Sequence, residues 1–470
     1  MRALPASRWR SVVILSMLTA ASAADARDFA AVAEEVGRAV PAAAPVKLVD
    51  SIRYGRDKDV AKFRLANGLT VIVLEDHAAP VVSYQTWFAV GSRFEMKGLT
   101  GIAHLFEHLM FKGTEKYPHE VFDRLLEEAG AQVNAATWLD WTFYYENLPA
   151  GQLDLAARLE SDRMVHLVLT REQLDSEREV VRNERRFRVE NDPDGAMDEA
   201  LFESLFPTHP YGMPTIGYMA DLDNLTLDRC LAFYRTYYSV GNATIVIVGD
   251  VTPRAALETV ARHYAALPQV EVPRPVPEPE AEQKGIRTRD LKLPVATEKA
   301  KMAWRTVPAG HADVYSLEVV NEVMFATESS RVHRILIEDE QVASEVDGAA
   351  EPLAQDGIFL VDVVMNEGKP AAGAVDVAIE QLARLAADGP SADELNRAKN
   401  HAEAAFLRSL ATVGSRATQL GSYELTAGDF KRMFRYVDGV RAVTAEDVRR
   451  VAGKYLTKAR ANVVFGRPNQ

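Results

Sequence analysis

Two histidines four residues apart, His104 and His108, flank Glu107 in the sequence His-Leu-Phe-Glu-His. On a helix the two imidazoles project from one face, one turn apart, with the carboxylate beside them. These three groups are the parts that bind a zinc ion and activate a water molecule on it. The pattern therefore predicts a metal-binding helix at this point of the chain. A helix with two partly buried histidines that are hydrogen-bonded to their neighbours is the alternative.

A catalytic zinc site needs a third protein ligand. The segment 170–186 predicts a helix, because Thr170 can cap it and Gln173 completes a capping box. Glu177 and Glu184 lie seven residues apart, which is two turns, so the two carboxylates share one face. This segment could equally be a solvated, charged helix. One of the two glutamates could, however, reach back to a metal ion.

In these histidines and glutamates, the chain resembles the pitrilysin family of inverzincin metallopeptidases. The resemblance is to the branch that contains the mitochondrial processing peptidase and its bacterial relatives. The segments 90–92, 111–114 and 134–137 carry further family motifs, Val-Gly-Ser, Phe-Lys-Gly-Thr and Asn-Ala-Ala-Thr. In that branch the third ligand is a glutamate 76 positions after the second histidine, which is Glu184 here.

The resemblance implies one zinc ion per chain, bound by His104, His108 and Glu184. It also implies that Glu107 is the general base for a zinc-bound water and that Glu177 assists from beyond the direct ligands. The chain would then be a zinc-dependent endopeptidase that hydrolyses peptides or unfolded polypeptides. The alternative is a non-catalytic or weakly active peptide-binding scaffold subunit of a heterodimeric peptidase.

The two halves of the chain look like a diverged duplication. The segment 104–111 aligns with 318–325 in its apolar positions, and 170–184 aligns with 391–405, where both segments open with a capping box. The ligand and base positions of the second copy hold different residues, namely Glu318, Asn321, Glu322 and Ala405. We therefore predict an α+β fold of two homologous domains, each a mostly antiparallel sheet packed with helices, of which only the first keeps metal chemistry.

Four further residues belong to the substrate-binding side of the resemblance. Asn134 and Ala135 fall in a segment that in the family is an edge strand holding the substrate backbone. Arg416 and Tyr423 match an R-x6-Y pair that contacts substrate opposite the zinc, although spacing alone favours an exposed arginine and a half-buried tyrosine. Long family members close four repeats into a chamber, and this chain has two. The resemblance therefore implies a homodimer, or a heterodimer with a homologous subunit, in which this pair faces the zinc of the other chain.

The first 23 residues predict a secretory signal peptide. Three arginines precede the apolar run 12–18, and Ala-Ser-Ala at 21–23 offers a cleavage site. The run is too short to cross a bilayer, so we expect no stable membrane anchor, and a short buried helix is the alternative. Cys230 is the only cysteine and cannot form an internal disulfide. An exported chain without disulfides favours a bacterial periplasm.

The charge of the chain argues against nucleic-acid binding. The net charge is −13, and removal of residues 1–23 leaves −16. A chain this acidic is a poor binder of phosphate backbones. If the charge lined a cavity it would favour basic peptides, whereas a soluble acidic surface is the alternative.

Local patterns divide the remaining chain. Asn67-Gly68 predicts a hairpin, 81–89 and 132–148 predict strands, helices fill 151–240, and 243–249 predicts a buried strand. A Pro- and Glu-rich stretch predicts a linker between the domains. The predicted segments are an N-terminal arm at 24–55, a catalytic zinc-binding peptidase domain at 56–268, the linker at 269–290, and a degenerate peptidase-like domain at 291–470 that contributes to substrate binding.

Overall fold

The computed structural model describes residues 28–54 and 58–469. The predicted signal peptide, residues 1–23, lies outside the described residues. Within the described ranges, no helix combines the length and the apolar character that a membrane crossing requires.

The first domain is built on a seven-stranded sheet. Its strands are β1 (Lys47–Tyr54), β2 (Lys58–Arg64), β3 (Thr70–Glu75), β4 (Val81–Phe88), β5 (Gln132–Thr137), β6 (Thr142–Pro149) and β7 (Ala243–Gly249). Its helices are α1 (Phe29–Ala39), α2 (Ile102–Leu109), α3 (His119–Glu128), α4 (Leu153–His166), α5 (Arg171–Arg185), α6 (Pro193–Leu205), α7 (Met219–Leu222), α8 (Leu227–Tyr237) and α9 (Pro253–Tyr264). The strand order is β1-β2-β3-β7-β4-β6-β5, in which only the β3–β7 pair is parallel among the described pairs.

The second domain is built on a five-stranded sheet. Its strands are β8 (Arg287–Leu293), β9 (Lys299–Arg305), β10 (Ala343–Pro352), β11 (Gly357–Met365) and β12 (Asn462–Pro468). Its helices are α10 (Val314–Met324), α11 (Arg331–His333), α12 (Ala371–Asp388), α13 (Ala392–Ser409), α14 (Val413–Ala427), α15 (Tyr436–Ala442) and α16 (Ala445–Tyr455). The strand order is β10-β11-β9-β12-β8, with β8 and β12 parallel.

The two sheets repeat one topology. The order β5-β6-β4-β7-β3 in the first domain corresponds strand for strand to β10-β11-β9-β12-β8 in the second, with the parallel pair at the same place. By position in this series, α2 corresponds to α10 and α5 to α13, and both α5 and α13 begin with the predicted capping boxes. The predicted α+β class and the duplication are therefore confirmed, and β1 and β2 are additions to the first copy.

The local strand predictions for the first domain are also confirmed. The hairpin at Asn67-Gly68 joins antiparallel β2 and β3, and Gly68 has a φ of 90°. The side-chain amide of Asn67 donates to the carbonyls of Tyr264 and Leu267, which ties the turn to the end of α9. The turn residues thus fix both the register of the hairpin and its contact with a helix.

The described residues 28–54 of the predicted N-terminal arm, 24–55, contain regular secondary structure. These residues form α1 and β1, and β1 pairs antiparallel with β2 at the edge of the first sheet. Phe29, Ala33 and Val36 are buried at helical spacing, a stripe that the high alanine content of the segment hides. Further along, residues 265–286 pass between the domains without a helix or strand, and β8 begins inside the range predicted as linker.

The two domains share a core through α14. This helix packs on one face of the first sheet, where Gln85 donates to the carbonyl of Gly414 and Trp87 lies against Gly421. Helix α2 packs on the other face of the sheet. Successive side chains of β4 point to opposite faces, so Tyr84 and Phe88 lie on the face opposite Gln85 and Trp87. Tyr84 and Phe88 belong to the apolar cluster that contains Phe106 of α2.

Candidate metal centre

The helix α2, which the sequence predicts to bind a metal, starts in a tightly constrained loop. Gly101 caps it with a φ of 89°, and a Cβ at this position would lie 2.7 Å from the carbonyl oxygen of Ile216. The buried carboxylate of Glu95 accepts from the backbone N–H of Gly101 at 2.7 Å and from that of Ala103 at 2.8 Å. Burial raises the pKa of Glu95 to about 8, against the opposing effect of these two donors. Sequence reasoning missed Glu95, because its partners are backbone groups with no sequence signature.

The three predicted metal ligands converge on one point. His104 Nε2 lies 3.6 Å and His108 Nε2 lies 3.5 Å from Oε2 of Glu184. One ligand atom from each residue falls within 4.8 Å of the others. Ligand atoms around a tetrahedral zinc ion are roughly 3.3 Å apart, given bond lengths of about 2.0–2.1 Å. The donor set and its spacing therefore suit zinc.

The electrostatics of this cluster favour a cation. Burial lowers the pKa of His104 to about 4, so this imidazole is neutral, as a metal ligand must be. Burial also disfavours the charged form of His108, but hydrogen bonds to Glu177 and Glu184 raise its pKa to about 9. The carboxylates thus attract positive charge to the space between the ligands, which a divalent cation would supply.

Glu107 lies beside the ligands on α2. Its side chain is half-buried, and burial raises its pKa, although a contact with Thr137 at the end of β5 acts in the opposite direction. This contact places Glu107 between the ligand cluster and the edge strand. A carboxyl group with a raised pKa in such a position is suited to accept and return a proton.

The carboxylate of Glu177 contacts both His108 and Lys112, and the sequence analysis assigned no role to Lys112. Glu177 Oε2 lies 3.4 Å from His108 Nδ1, and its other oxygen contacts Nζ of Lys112. The carboxylate therefore orients the imidazole with its Nε2 toward the ligand position. Burial of Glu177 is outweighed by His108 and Lys112, which lower its pKa. The available signal was that Lys112 lies one turn after His108.

The predicted substrate strand β5 is one of the two edge strands of the first sheet. Among the described strands it pairs only with β6, so the other side of its backbone is free. Asn134 is exposed, whereas Ala135 packs on the α2 side of the sheet. A cavity of about 340 Å³ lies next to the end of β5 and is lined by His104, Thr137, Trp138, Arg188, Asp198 and Phe202, among others.

The structure does not bring Arg416 and Tyr423 to the ligands within one chain. Both lie on α14, which packs against the sheet face opposite α2. Arg416 Nη2 forms an ion pair of 2.8 Å with Asp76, whose side chain is 2 % exposed. Tyr423 lines a different cavity, in which Trp138 also takes part.

A duplicated α+β fold whose first copy carries His-x-x-Glu-His on α2 and a third candidate ligand, Glu184, on α5 defines the class of the M16 metallopeptidases. Residues 70–218 match the family model described as Insulinase (Peptidase family M16), and residues 224–401 match Peptidase M16 inactive domain. The chain belongs to this family, also called the pitrilysin family, as its sequence predicted.

Several named relatives share most of the chain. Zinc protease PqqE of Helicobacter pylori is 28% identical over 86% of this chain and 92% of its own. The beta subunit of the mitochondrial-processing peptidase of Lentinula edodes is 24% identical over 83% of this chain and 86% of its own. The crystal structure of a protease from Helicobacter pylori superposes with a TM-score of 0.83 at 27% identity, covering 87% of this chain and 99% of that one.

Proposed function

We propose that this chain is a zinc-dependent endopeptidase that hydrolyses extended peptides or unfolded polypeptides. The observation that carries the proposal is the convergence of His104 Nε2, His108 Nε2 and Glu184 Oε2, with Glu107 adjacent and a free strand edge alongside. When bound there, zinc would polarise the scissile carbonyl and acidify the attacking water. The names of the relatives as zinc proteases support the same conclusion.

The residues of the chain divide the remaining work. Glu107 accepts a proton from the attacking water on its carboxylate and returns it to the leaving amine nitrogen. Glu177 holds the His108 imidazole in the orientation that a ligand needs. The free backbone of β5, around Asn134 and Ala135, pairs with the substrate as an added strand, which selects extended chains over folded proteins.

A peptide-binding scaffold without activity is the second candidate. The match of residues 224–401 to a domain described as inactive supports it. That match runs from the end of the first domain into the second copy, where the positions of His104 and His108 hold Glu318 and Glu322. The first copy retains His104, Glu107, His108 and Glu184 together, and we therefore favour the enzyme.

Metal analysis and a quenched-fluorescence peptide assay, with and without chelator, test the proposal. Glu107→Gln should keep zinc and lose peptide hydrolysis by at least about 100-fold, because the general base is gone. Glu184→Gln should instead lower the zinc content. Glu172→Gln, an exposed position on the same helix, is the matched control and should change neither. Full activity of a zinc-free protein, or of Glu107→Gln, would overturn the proposal.

We also propose that the mature chain acts in the periplasm and as a dimer. The leader pattern of residues 1–23 supports export, and the two-repeat length supports a partner that completes the chamber. N-terminal sequencing of exported protein should give Ala24 as the first residue. Light scattering during turnover tests the dimer, and an active monomer would contradict it.

A further inference from the structure

Arg188 contacts the third candidate ligand through the oxygen that the histidines leave free. It lies four residues after Glu184, in a π-helical turn, Arg186–Glu190, that continues α5. Its Nε is 3.0 Å from Oε1 of Glu184, whereas His104 and His108 both face Oε2. The two oxygens of one carboxylate are thus divided between a guanidinium and the candidate metal position.

The backbone that carries Arg188 is tightly fixed. A Cβ built at Gly195, near the start of α6, would lie 1.8 Å from the carbonyl oxygen of Arg188, so α6 approaches this turn more closely than a side chain would permit. Arg185 holds the end of α5 in place, because its guanidinium donates to both oxygens of Glu199 on α6 and to the carbonyl of Gly217. The side chain of Arg188 therefore starts from a defined position.

The other carboxylates near Arg188 are already paired. Among the described residues, the Arg188 guanidinium forms an ion pair only with the ligand carboxylate. Asp198 lines the same cavity as Arg188 and pairs with Lys301 at 2.8 Å. Glu199 also lines this cavity and pairs with Arg185 at 2.8 Å. The charge of Arg188 is therefore directed at the ligand carboxylate.

The second copy supports a link between the two residues. In the alignment of the copies, Ala405 stands at the position of Glu184. Four residues further along α13, Ser409 stands at the position of Arg188. The copy without the carboxylate thus also lacks the guanidinium. An ordinary i, i+4 ion pair on a helix surface is the alternative, and it would not require both residues to change together.

The division of the two oxygens has a consequence for metal chemistry. A carboxylate can bind a metal ion through one oxygen or through both. A catalytic zinc site needs three protein ligands and one open position. If Glu184 offered both oxygens, the second would fill that position. A positive charge held on Oε1 disfavours this arrangement, because Oε1 would have to leave its contact with Arg188.

We propose that Arg188 is a positioning residue that restricts Glu184 to a single metal-facing oxygen, Oε2, and so keeps the fourth position open for water and substrate. The proposal rests on the proposed function, because it needs a metal ion held by His104, His108 and Glu184. The Arg188 side chain is 68 % exposed, and exposed ion pairs contribute little to folding. Replacement of Arg188 should therefore change the metal geometry without unfolding the protein.

The first experiment reads the coordination number from the visible absorption of Co²⁺ bound in place of zinc. A four-coordinate Co²⁺ site absorbs much more strongly than a five-coordinate one. Arg188→Met should therefore lower the molar absorption about twofold, because the second oxygen of Glu184 then binds. Arg188→Lys keeps a cation at this position and should retain most of the wild-type spectrum. Arg186→Met is the matched control, because Arg186 lies in the same turn and donates to Asn183.

The second experiment probes the open position with imidazole, a neutral metal ligand whose binding does not require the charge of Arg188. Titrated into the Co²⁺ protein, imidazole should bind about tenfold more weakly to Arg188→Met than to wild type. Thermal melting of each variant confirms that it is folded.

The outcomes separate this inference from the proposed function. An unchanged spectrum or an unchanged imidazole affinity in Arg188→Met would overturn the inference. The expected changes, together with a wild type that hydrolyses no peptide in the quenched-fluorescence assay, would refute the proposed function and leave the inference standing. A wild type that binds neither Zn²⁺ nor Co²⁺ would overturn both.

Discussion

We predict that Lys112 determines how firmly the candidate metal ligands are held. Its ammonium contacts Glu177, and Glu177 in turn bonds Nδ1 of His108. Lys112→Met should weaken zinc affinity about tenfold, because Glu177 loses the partner that aligns it with the imidazole. Lys112→Arg should restore most of the affinity. Competition with a chromogenic chelator measures the effect, Lys116→Met is the exposed control, and an unchanged zinc affinity in Lys112→Met would rule out this role.

At the scale of residues, the sequence predicted the groups that a local pattern contains. His104, Glu107 and His108 are neighbours on one helix, so their spacing was sufficient to place them together. From the helix pattern alone, either Glu177 or Glu184 could be the third ligand, and only the 76-residue spacing of the family indicated Glu184. Glu95 was missed because hydrogen bonds to backbone groups leave no sequence pattern. The position of Lys112 one turn after His108 was a signal, but it did not reveal the contact with Glu177 on another helix.

Among the secondary-structure elements, α2 depends on Gly101 at its start. The φ of 89° and the carbonyl of Ile216, 2.7 Å from a Cβ built at this position, both exclude a side chain. Gly101→Ala should destabilise the protein by more than about 2 kcal/mol, from backbone strain together with the steric overlap. Gly130→Ala is the matched control, because Gly130 has a φ of 74° and no atom within 4 Å of its Cβ position. Urea unfolding that gives equal losses for the two would contradict this account.

The start of α13 carries a pH-dependent contribution to stability. Arg331 donates to both oxygens of Glu394, at 2.7 Å and 2.9 Å, and the backbone N–H of Ser391 donates at 2.8 Å. The arginine, outweighing burial, lowers the pKa of Glu394 from 4.5 to about 2. A lowered folded pKa means that the stabilisation is complete above pH 4.5 and is lost as the pH falls toward 2.

Glu394→Gln should therefore cost about 1–3 kcal/mol of unfolding free energy at pH 7. The difference from wild type should shrink as the pH falls through the window from 4.5 to 2. Urea unfolding at several pH values measures it. Glu380→Gln, whose ion pair with Arg384 is exposed, is the control and should have little effect at any pH. A pH-independent cost for Glu394→Gln would show that only size and packing matter there.

The sequence predicted elements well where turn and cap chemistry was present. The Asn67-Gly68 turn and the capping boxes at Thr170 and Ser391 all have the expected geometry. β1 was missed because charged residues occupy much of this edge strand, Lys-Leu-Val-Asp-Ser-Ile-Arg-Tyr, and weaken its alternating pattern. Strand β1 forms by pairing with β2, the next strand in the chain, and the sequence of β1 alone does not show this pairing.

For the whole molecule, Arg416 joins the two domains. The guanidinium of Arg416 pairs with the carboxylate of Asp76, which also contacts Nζ of Lys58 at 2.6 Å. These ion pairs hold α14 against the first sheet. Arg416→Gln should cost about 1–3 kcal/mol, because Asp76 loses one of its two cationic partners while buried. Calorimetric melting and kcat/KM, measured together, separate this role from the substrate contact that the family pair implies.

A loss of stability without a proportionate loss of kcat/KM would assign Arg416 to the domain contact alone. A loss of kcat/KM in a fully stable variant would instead support a substrate contact across a dimer. Arg408→Gln, an exposed arginine on α13, is the matched control. The sequence could not predict the contact with Asp76, because the two residues are 340 positions apart and the motif that contains Arg416 does not include Asp76.

The packing of Trp87 against Gly421 determines whether the first domain can be produced without the second. Trp87, Ile72 and Phe143 form one aromatic and aliphatic face of the first sheet, and Leu420 and other residues of the second domain cover it. A gene divided near residue 268 would encode a fragment that carries the candidate metal ligands and leaves this face open to water, and such a patch promotes aggregation. We therefore expect the first half to be soluble only when the second half covers this face.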